Sequence, residues 1–244
     1  MEQANEQPKR QFVNFAFFKT CPEWRELPEA ERERGKAEFA QVVKAHSERF
    51  PILPYTLVGA RGDCDFMLWR ISYRLEDFRD MQAELNGTGL GAYLETPYYY
   101  LAMTRRSIYL DPVHPEHDED RTRIIPGKKA YLFVYPFVKT REWYALSKEE
   151  RQKMMNEHII VGNKYPSVRL NTTYSYGLDD QEFVVAFETD KPQDFLDLVM
   201  ELRETQASRY TKLDTPTFTC IAGKIEEVLD SLAKTPKKEA LAHA

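Results

Sequence analysis

At 244 residues the chain is long enough for one large domain or two small ones, each with ample core. Hydrophobic residues make up 42% and charged residues 30%, the balance of a globular protein, which excludes membrane-embedded and disordered classes. A formal net charge of −5 leaves no surplus of cations to neutralise phosphates, so neither nucleic acid nor membrane is an expected partner.

Residues 1–10 are polar and hold no apolar signal core. An aromatic, β-rich stretch from Phe12 to Lys19 follows. Helical spacing of Phe39, Val42, Val43 and His46 predicts a helix from about Pro28 to Phe50. Two strands come next, Tyr55 to Ala60 and Asp65 to Tyr73, then a helix from Leu75 to Leu85 and a closing strand from Tyr98 to Arg106. Residues 111–128, rich in Pro, His, Asp and Glu, read as a linker between an N-terminal half (11–110) and a C-terminal half (129–232). The second half opens with a strand from Ala130 to Lys139. A helix from about Ser147 to Asn163 follows, in which Ser147 and Glu150 have the spacing of a capping box. Strands Arg169 to Tyr176 and Glu182 to Glu188 flank the turn Gly177-Leu178-Asp179-Asp180. A helix from Pro192 to Arg203, a strand from Thr215 to Ile221 and a disordered tail at 233–244 complete the chain. Cys21, Cys64 and Cys220 are odd in number and widely spaced, so a disulfide framework is not expected and a reducing, cytoplasmic setting is.

The two halves repeat one another. Phe17-Phe18-Lys19-Thr20 before Trp24, Leu27 and Arg32 is echoed by Phe137-Val138-Lys139-Thr140 before Trp143, Leu146 and Arg151. Asp65-Phe66 with Asp77-Phe78 returns as Glu182-Phe183 with Asp194-Phe195 at equal spacing. Such ordered matches indicate duplication. Each half reads β-α-β-β-α-β. The predicted fold class is therefore α+β: tandem ferredoxin-like halves that pair their antiparallel sheets, of the dimeric α+β barrel type. Tyr98-Tyr99-Tyr100 marks a sheet face that wants a partner surface.

Residues that serve the fold should recur in both halves; residues that serve a site need not. Counting on from Arg32 and Arg151, His158 falls opposite Phe39, so an imidazole replaces a core aromatic. A lone histidine is most often a satisfied core residue, but neutral imidazole is also a common iron ligand. Period two on the preceding strand puts Tyr135, Phe137 and Lys139 on one face. A phenol, a cation and an imidazole directed at one cavity form a constellation suited to redox chemistry.

Tyr135-Pro136-Phe137-Val138-Lys139, Glu142-Trp143-Tyr144 and Met155-Asn156-Glu157-His158 resemble motifs of coproheme decarboxylases in the chlorite-dismutase-like superfamily. Tyr165-Pro166-Ser167-Val168-Arg169-Leu170-Asn171-Thr172 is similar to the actinobacterial branch. The resemblance spans roughly Phe12 to Leu232. It implies a haem-dependent oxidoreductase that uses hydrogen peroxide to decarboxylate two propionates of iron-coproporphyrin III, forming haem b. It implies His158 as proximal iron ligand, Tyr135 as redox tyrosine and Lys139 as a positive contact. Trp143 recurs as Trp24 and is either a pocket or a structural residue. Arg203, Ser208 and Arg209 lie where the family binds propionates, or are surface groups, and Arg121 is a further propionate candidate. His117, with His114 further off, is the candidate distal base. Leu170 stands where chlorite dismutases carry a distal arginine. Arg169 beside it should face the other way, and Ala207 replaces the glutamate that partners their proximal histidine. The resemblance also implies a ring-shaped homo-oligomer, most often a pentamer. Chlorite dismutation and non-catalytic haem binding or assembly are the alternative functions.

Overall fold

Strand β1 (Phe12–Thr20) is the spine of the first half of the computed structural model, which describes residues 9–109 and 123–233. After it come α1 (Glu29–Ser47), β2 (Ile52–Thr56), β3 (Phe66–Ser72), α2 (Leu75–Asn86) and β4 (Leu94–Met103). The second half holds β5 (Tyr131–Lys139), α3 (Arg141–Ala145), α4 (Lys148–Gly162), β6 (Arg169–Tyr174), β7 (Phe183–Thr189), α5 (Pro192–Glu204), β8 (Thr211–Leu213), β9 (Phe218–Ala222) and α6 (Ile225–Asp230). Antiparallel pairing gives the order β4-β1-β3-β2 in one half and β6-β7-β5-β9 in the other, the same arrangement twice. The predicted tandem ferredoxin-like α+β fold is what forms.

The halves then pair edge to edge. Tyr55 and Thr56 of β2 lie against Ala222 and Ile221 of β9, and Met103 of β4 lies against Tyr174 of β6. Eight strands thus close on themselves, leaving no long open edge among the described residues. The short β8 continues alongside β5 beyond β9.

Alternation along each strand sorts side chains to the two faces. Val13, Phe15 and Phe17 point into the barrel with Met67, Trp69, Leu132, Val134, Val184, Ala186, Phe218 and Cys220. Tyr98 and Tyr100 also turn inward, with ring centroids 5.0 and 6.2 Å from Phe218. The partner surface for that tyrosine run is therefore the other half of the same chain, and only Tyr99 of the three stays exposed. Outside the first half, α1, α2 and α6 cover Phe18, Phe66 and Leu68. Outside the second, α5 lays Phe195 and Leu198 on Phe133 and Phe187.

Some boundaries differ from the sequence reading. β2 ends at Thr56 rather than running to Ala60. Leu57–Ala60 instead forms a turn closed by Ala60 N–H to the Leu57 carbonyl (2.9 Å), with Gly59 at φ +83°. β4 starts earlier than predicted, at Leu94, and β8 and α6 are additions. Being so short, both carry too little periodicity to show in sequence.

Candidate functional site

The duplication makes each half a control for the other. α1 buries Gly35, Lys36, Phe39, Ala40, Val43 and His46. α4, its counterpart, buries none of its residues. In the first half Phe18 and Phe66 face one another across β1 and β3, and Phe39 meets both edge-on at 6.1 and 5.7 Å. In the second half the matching cross-strand pair is Phe137 and Phe183, and the residue in the position of Phe39 is His158. Replacing a ring that fills the helix–sheet gap with a polar imidazole removes the wedge that would hold the helix down. The capping box stands instead: Ser147 N–H donates to Glu150 Oε2 (2.9 Å), and Glu150 N–H donates to Ser147 Oγ (3.2 Å). It supports the first turn of α4 without help from a core.

On the outer face of the second half's sheet the strand registers set out rows of side chains. Phe133, Phe187 and Leu170 make one row, Tyr135, Val185 and Thr172 the next, and Phe137, Phe183 and Tyr174 the third. Lys139 continues the same face, as period two predicts. Tyr135 stacks on Phe187 with centroids 6.0 Å apart. Leu170 is 45% exposed, a large apolar side chain left open on this surface. Arg169 pairs with Glu188, one position out of register with the Leu170 row, and so belongs to the opposite face.

Burial tunes the three polar groups. His158 is held well below the ordinary imidazole range, to about 4, first by desolvation and then by the charge of Lys139. The imidazole is therefore neutral near pH 7. Burial lowers Lys139 to about 8, which leaves it mostly protonated at neutral pH. Burial raises the Tyr135 phenol, and the nearby Asp214 carboxylate adds to the rise. In the first half, Lys19 Nζ sits 2.7 Å from Asp65 Oδ1. There Asp65 also accepts the Thr20 backbone N–H (2.8 Å), and in the second half Glu182 likewise accepts the Lys139 backbone N–H (2.8 Å) together with the Tyr144 hydroxyl (2.5 Å). Lys139 Nζ donates to the Ala207 carbonyl at 2.7 Å and lies 4.5 Å from the Trp143 ring centroid. Among the described residues this ammonium forms no ion pair, so its charge stays available to a ligand.

Lys139 thus acts on His158 and shares an outer sheet face with Tyr135 and Leu170. Trp143 is buried beside Tyr210 and Tyr109, like its twin Trp24, and touches the site through Lys139. Arg203 is tied to Asp214 at 2.6 Å, and Ser208 Oγ lies 2.6 and 2.7 Å from the carbonyl oxygens of Arg203 and Thr205. Arg209 is exposed. Ala207 contributes its main chain to Lys139. His114, His117 and Arg121 lie outside the described residues. Two residues absent from the sequence reading of the site also belong to it. Glu182 was findable as the repeat partner of Asp65. Thr205, whose Oγ1 is 3.5 Å from His158 Nδ1, left no signal in sequence.

Residues 32–223 match the family model described as chlorite dismutase. The chain belongs to the chlorite dismutase family. A coproheme decarboxylase of Mycolicibacterium smegmatis is 31% identical over 180 residues, covering 73% of this chain and 75% of that protein. A mutant chlorite dismutase from Candidatus Nitrospira defluvii superposes with a TM-score of 0.84 at 27% identity, covering 92% of this chain and 96% of that one. A heme-binding protein from Thermus thermophilus superposes at 0.81 with 24% identity over 91% of this chain and 94% of that one, a likeness of fold alone. Family membership agrees with the α+β fold of ferredoxin-like halves.

Proposed function

We propose that this chain uses hydrogen peroxide to decarboxylate two propionates of iron-coproporphyrin III, yielding haem b. The observation that carries the reading is the contrast between the two copies. One helix is sealed to its sheet by Phe39; the other, which carries His158, has no fully buried residue, and the sheet of its half bears Tyr135, Lys139 and Leu170. An apolar sheet face under an unpacked helix, with one neutral nitrogen donor, suits a planar macrocycle with a metal at its centre. Among the described residues no three His, Cys, Asp or Glu side chains converge, so a metal at His158 would have to bring its own ligands. The similarity to a coproheme decarboxylase supports iron-coproporphyrin III as that macrocycle.

For each side chain the reaction balances as –CH2–CH2–COO⁻ + H2O2 + H⁺ → –CH=CH2 + CO2 + 2 H2O, a two-electron oxidation. The bound iron supplies activation of the peroxide. Neutral at working pH, His158 offers a lone pair rather than a charge. Tyr135 gives up its phenolic hydrogen atom and regains one from a propionate methylene, which restores the phenol. The second electron leaves as the bond to the carboxylate breaks. Lys139, protonated and desolvated, holds a carboxylate by a charge-assisted contact that strengthens as water is excluded. Leu170 and Phe187 supply apolar contact to the ring.

The test is to add iron-coproporphyrin III and then peroxide, following the products by mass spectrometry. Stepwise loss of two carboxyl groups is expected, and Tyr135→Phe should bind the porphyrin yet leave it intact. Normal turnover by Tyr135→Phe would overturn the assigned role. Oxygen evolution from chlorite without decarboxylation would overturn the reaction.

A further inference from the structure

We infer that Thr205 is the positioning residue for His158, fixing the neutral imidazole in the tautomer that carries hydrogen on Nδ1 and leaves the Nε2 lone pair free. The argument is one of proton counting. Thr205 is 3% exposed, and its hydroxyl makes two contacts: the Leu202 carbonyl oxygen at 2.8 Å and His158 Nδ1 at 3.5 Å. A carbonyl can only accept, so the single hydroxyl hydrogen is committed to Leu202. Toward His158 the Thr205 oxygen has only lone pairs to offer. If Nδ1 were unprotonated, two lone pairs would oppose one another in a desolvated gap. Nδ1–H is therefore the donor. The charged groups acting on the ring, Lys139 from β5 and Glu157 from α4, sit outside this contact.

Thr205 is well placed for the task because its own position is overdetermined. It ends α5 with its backbone N–H on the Leu202 carbonyl (3.2 Å) and starts the turn Gln206–Tyr210. That turn also gives the Ala207 carbonyl to Lys139 Nζ and the Gln206 N–H to Glu157 Oε2 at 3.0 Å. One rigid segment thus orients the imidazole, the ammonium and the face of α4 together.

The hydroxyl partner has a consequence that rests on the proposed function. A carboxylate would pull the Nδ1 hydrogen toward itself and make Nε2 a stronger donor. A neutral hydroxyl at 3.5 Å, long for a hydrogen bond, orients the ring with little such push. Toward an iron bound at Nε2, His158 would therefore be a weaker donor than with a carboxylate partner.

The experiment uses the intact protein labelled with 15N-histidine, first without porphyrin, with the His158 signals assigned by their absence in His158→Gln. At neutral pH the ring nitrogen shifts should report the Nδ1–H form. Thr205→Val should shift the population toward Nε2–H, and Thr205→Ser should restore it. A wild-type protein in the Nε2–H form, or a Thr205→Val protein with the wild-type tautomer, overturns the inference. The wild-type spectrum alone decides the first point even if Thr205→Val fails to fold. With ferrous iron-coproporphyrin III bound, the iron–histidine stretch should rise in Thr205→Asp; an unchanged stretch overturns the claim that the residue at 205 sets the donor strength of His158. If no porphyrin binds at all, the proposed function fails while the tautomer result stands by itself.

Discussion

Phe39 and His158 occupy the same place in two copies of one supersecondary unit, and the difference between them is the difference between a scaffold and a site. Phe39 is fully buried against Phe18 and Phe66, so Phe39→Ala should cost about 3–5 kcal/mol through lost burial and the cavity left behind. His158 is half-buried on a helix that packs loosely, so His158→Ala should cost of the order of 1 kcal/mol or less while abolishing porphyrin binding. Urea midpoints and porphyrin titration of both variants check the pair. Lys139 gives a prediction in pH. Its folded-state value of about 8 lies below the ordinary 10.5, so between these values the unfolded chain binds more protons than the folded one. Stability relative to Lys139→Met should then rise as pH climbs from 8 to 10.5. Affinity for the anionic porphyrin should move the opposite way, falling above about pH 8 as the ammonium is lost. Affinity that stays flat across that range would remove Lys139 from carboxylate binding.

At the scale of elements, the repeated helices α1 and α4 have matched positions and unmatched packing. Helical stability in proteins comes chiefly from burying an apolar face, and α4 lacks one. Its capping box supports its first turn, and its hold on the fold comes from α5, Thr205 and the turn at Gln206–Tyr210. In the free protein, amide hydrogens of α4 should therefore exchange faster than those of α1, and porphyrin should protect α4 selectively. Equal protection of the two helices in the free protein would contradict the asymmetry of packing. In the first half Asp65 holds Lys19 Nζ and both the backbone N–H and the hydroxyl of Thr20. In the second, the matching acid, Glu182, accepts the backbone N–H of Lys139 as Asp65 accepts that of Thr20, and its remaining contact is the Tyr144 hydroxyl. The lysine side chain thus stands where the first half has a threonine.

The whole molecule is held by closure. Each half contributes an inward face, and neither face is covered by the half's own helices. Residues 129–233 expressed alone would expose Leu132, Val134, Val184, Ala186, Phe218 and Cys220 along with two open strand edges. That fragment should be unfolded or aggregated by circular dichroism and size-exclusion chromatography, despite bearing every described site residue. A folded monomer would show that the halves are independent. The β4–β6 seam is secured largely by side chains: Asp179 Oδ2 accepts the Leu101 N–H, and Ser175 Oγ donates to the Leu101 carbonyl, each at 2.8 Å.

Much of this was legible along the chain. Strand alternation, helix spacing and the Ser147–Glu150 cap depend on residues within a few positions of one another, so the order of the main elements follows from sequence. The repeat showed that there are two copies, and comparing them singled out His158. Period two placed Tyr135 and Lys139 on one face. Tertiary structure decided the rest: that the barrel closes through β2–β9 and β4–β6, that Tyr98 and Tyr100 point inward, and that the Lys139 ammonium meets the Ala207 carbonyl. It also put Thr205 beside His158. The physical reason is range. The contacts of Lys139 with Ala207 and of His158 with Thr205 join residues 68 and 47 positions apart. No local pattern encodes which of many distant hydroxyls and carbonyls will meet a given side chain once the sheet has closed.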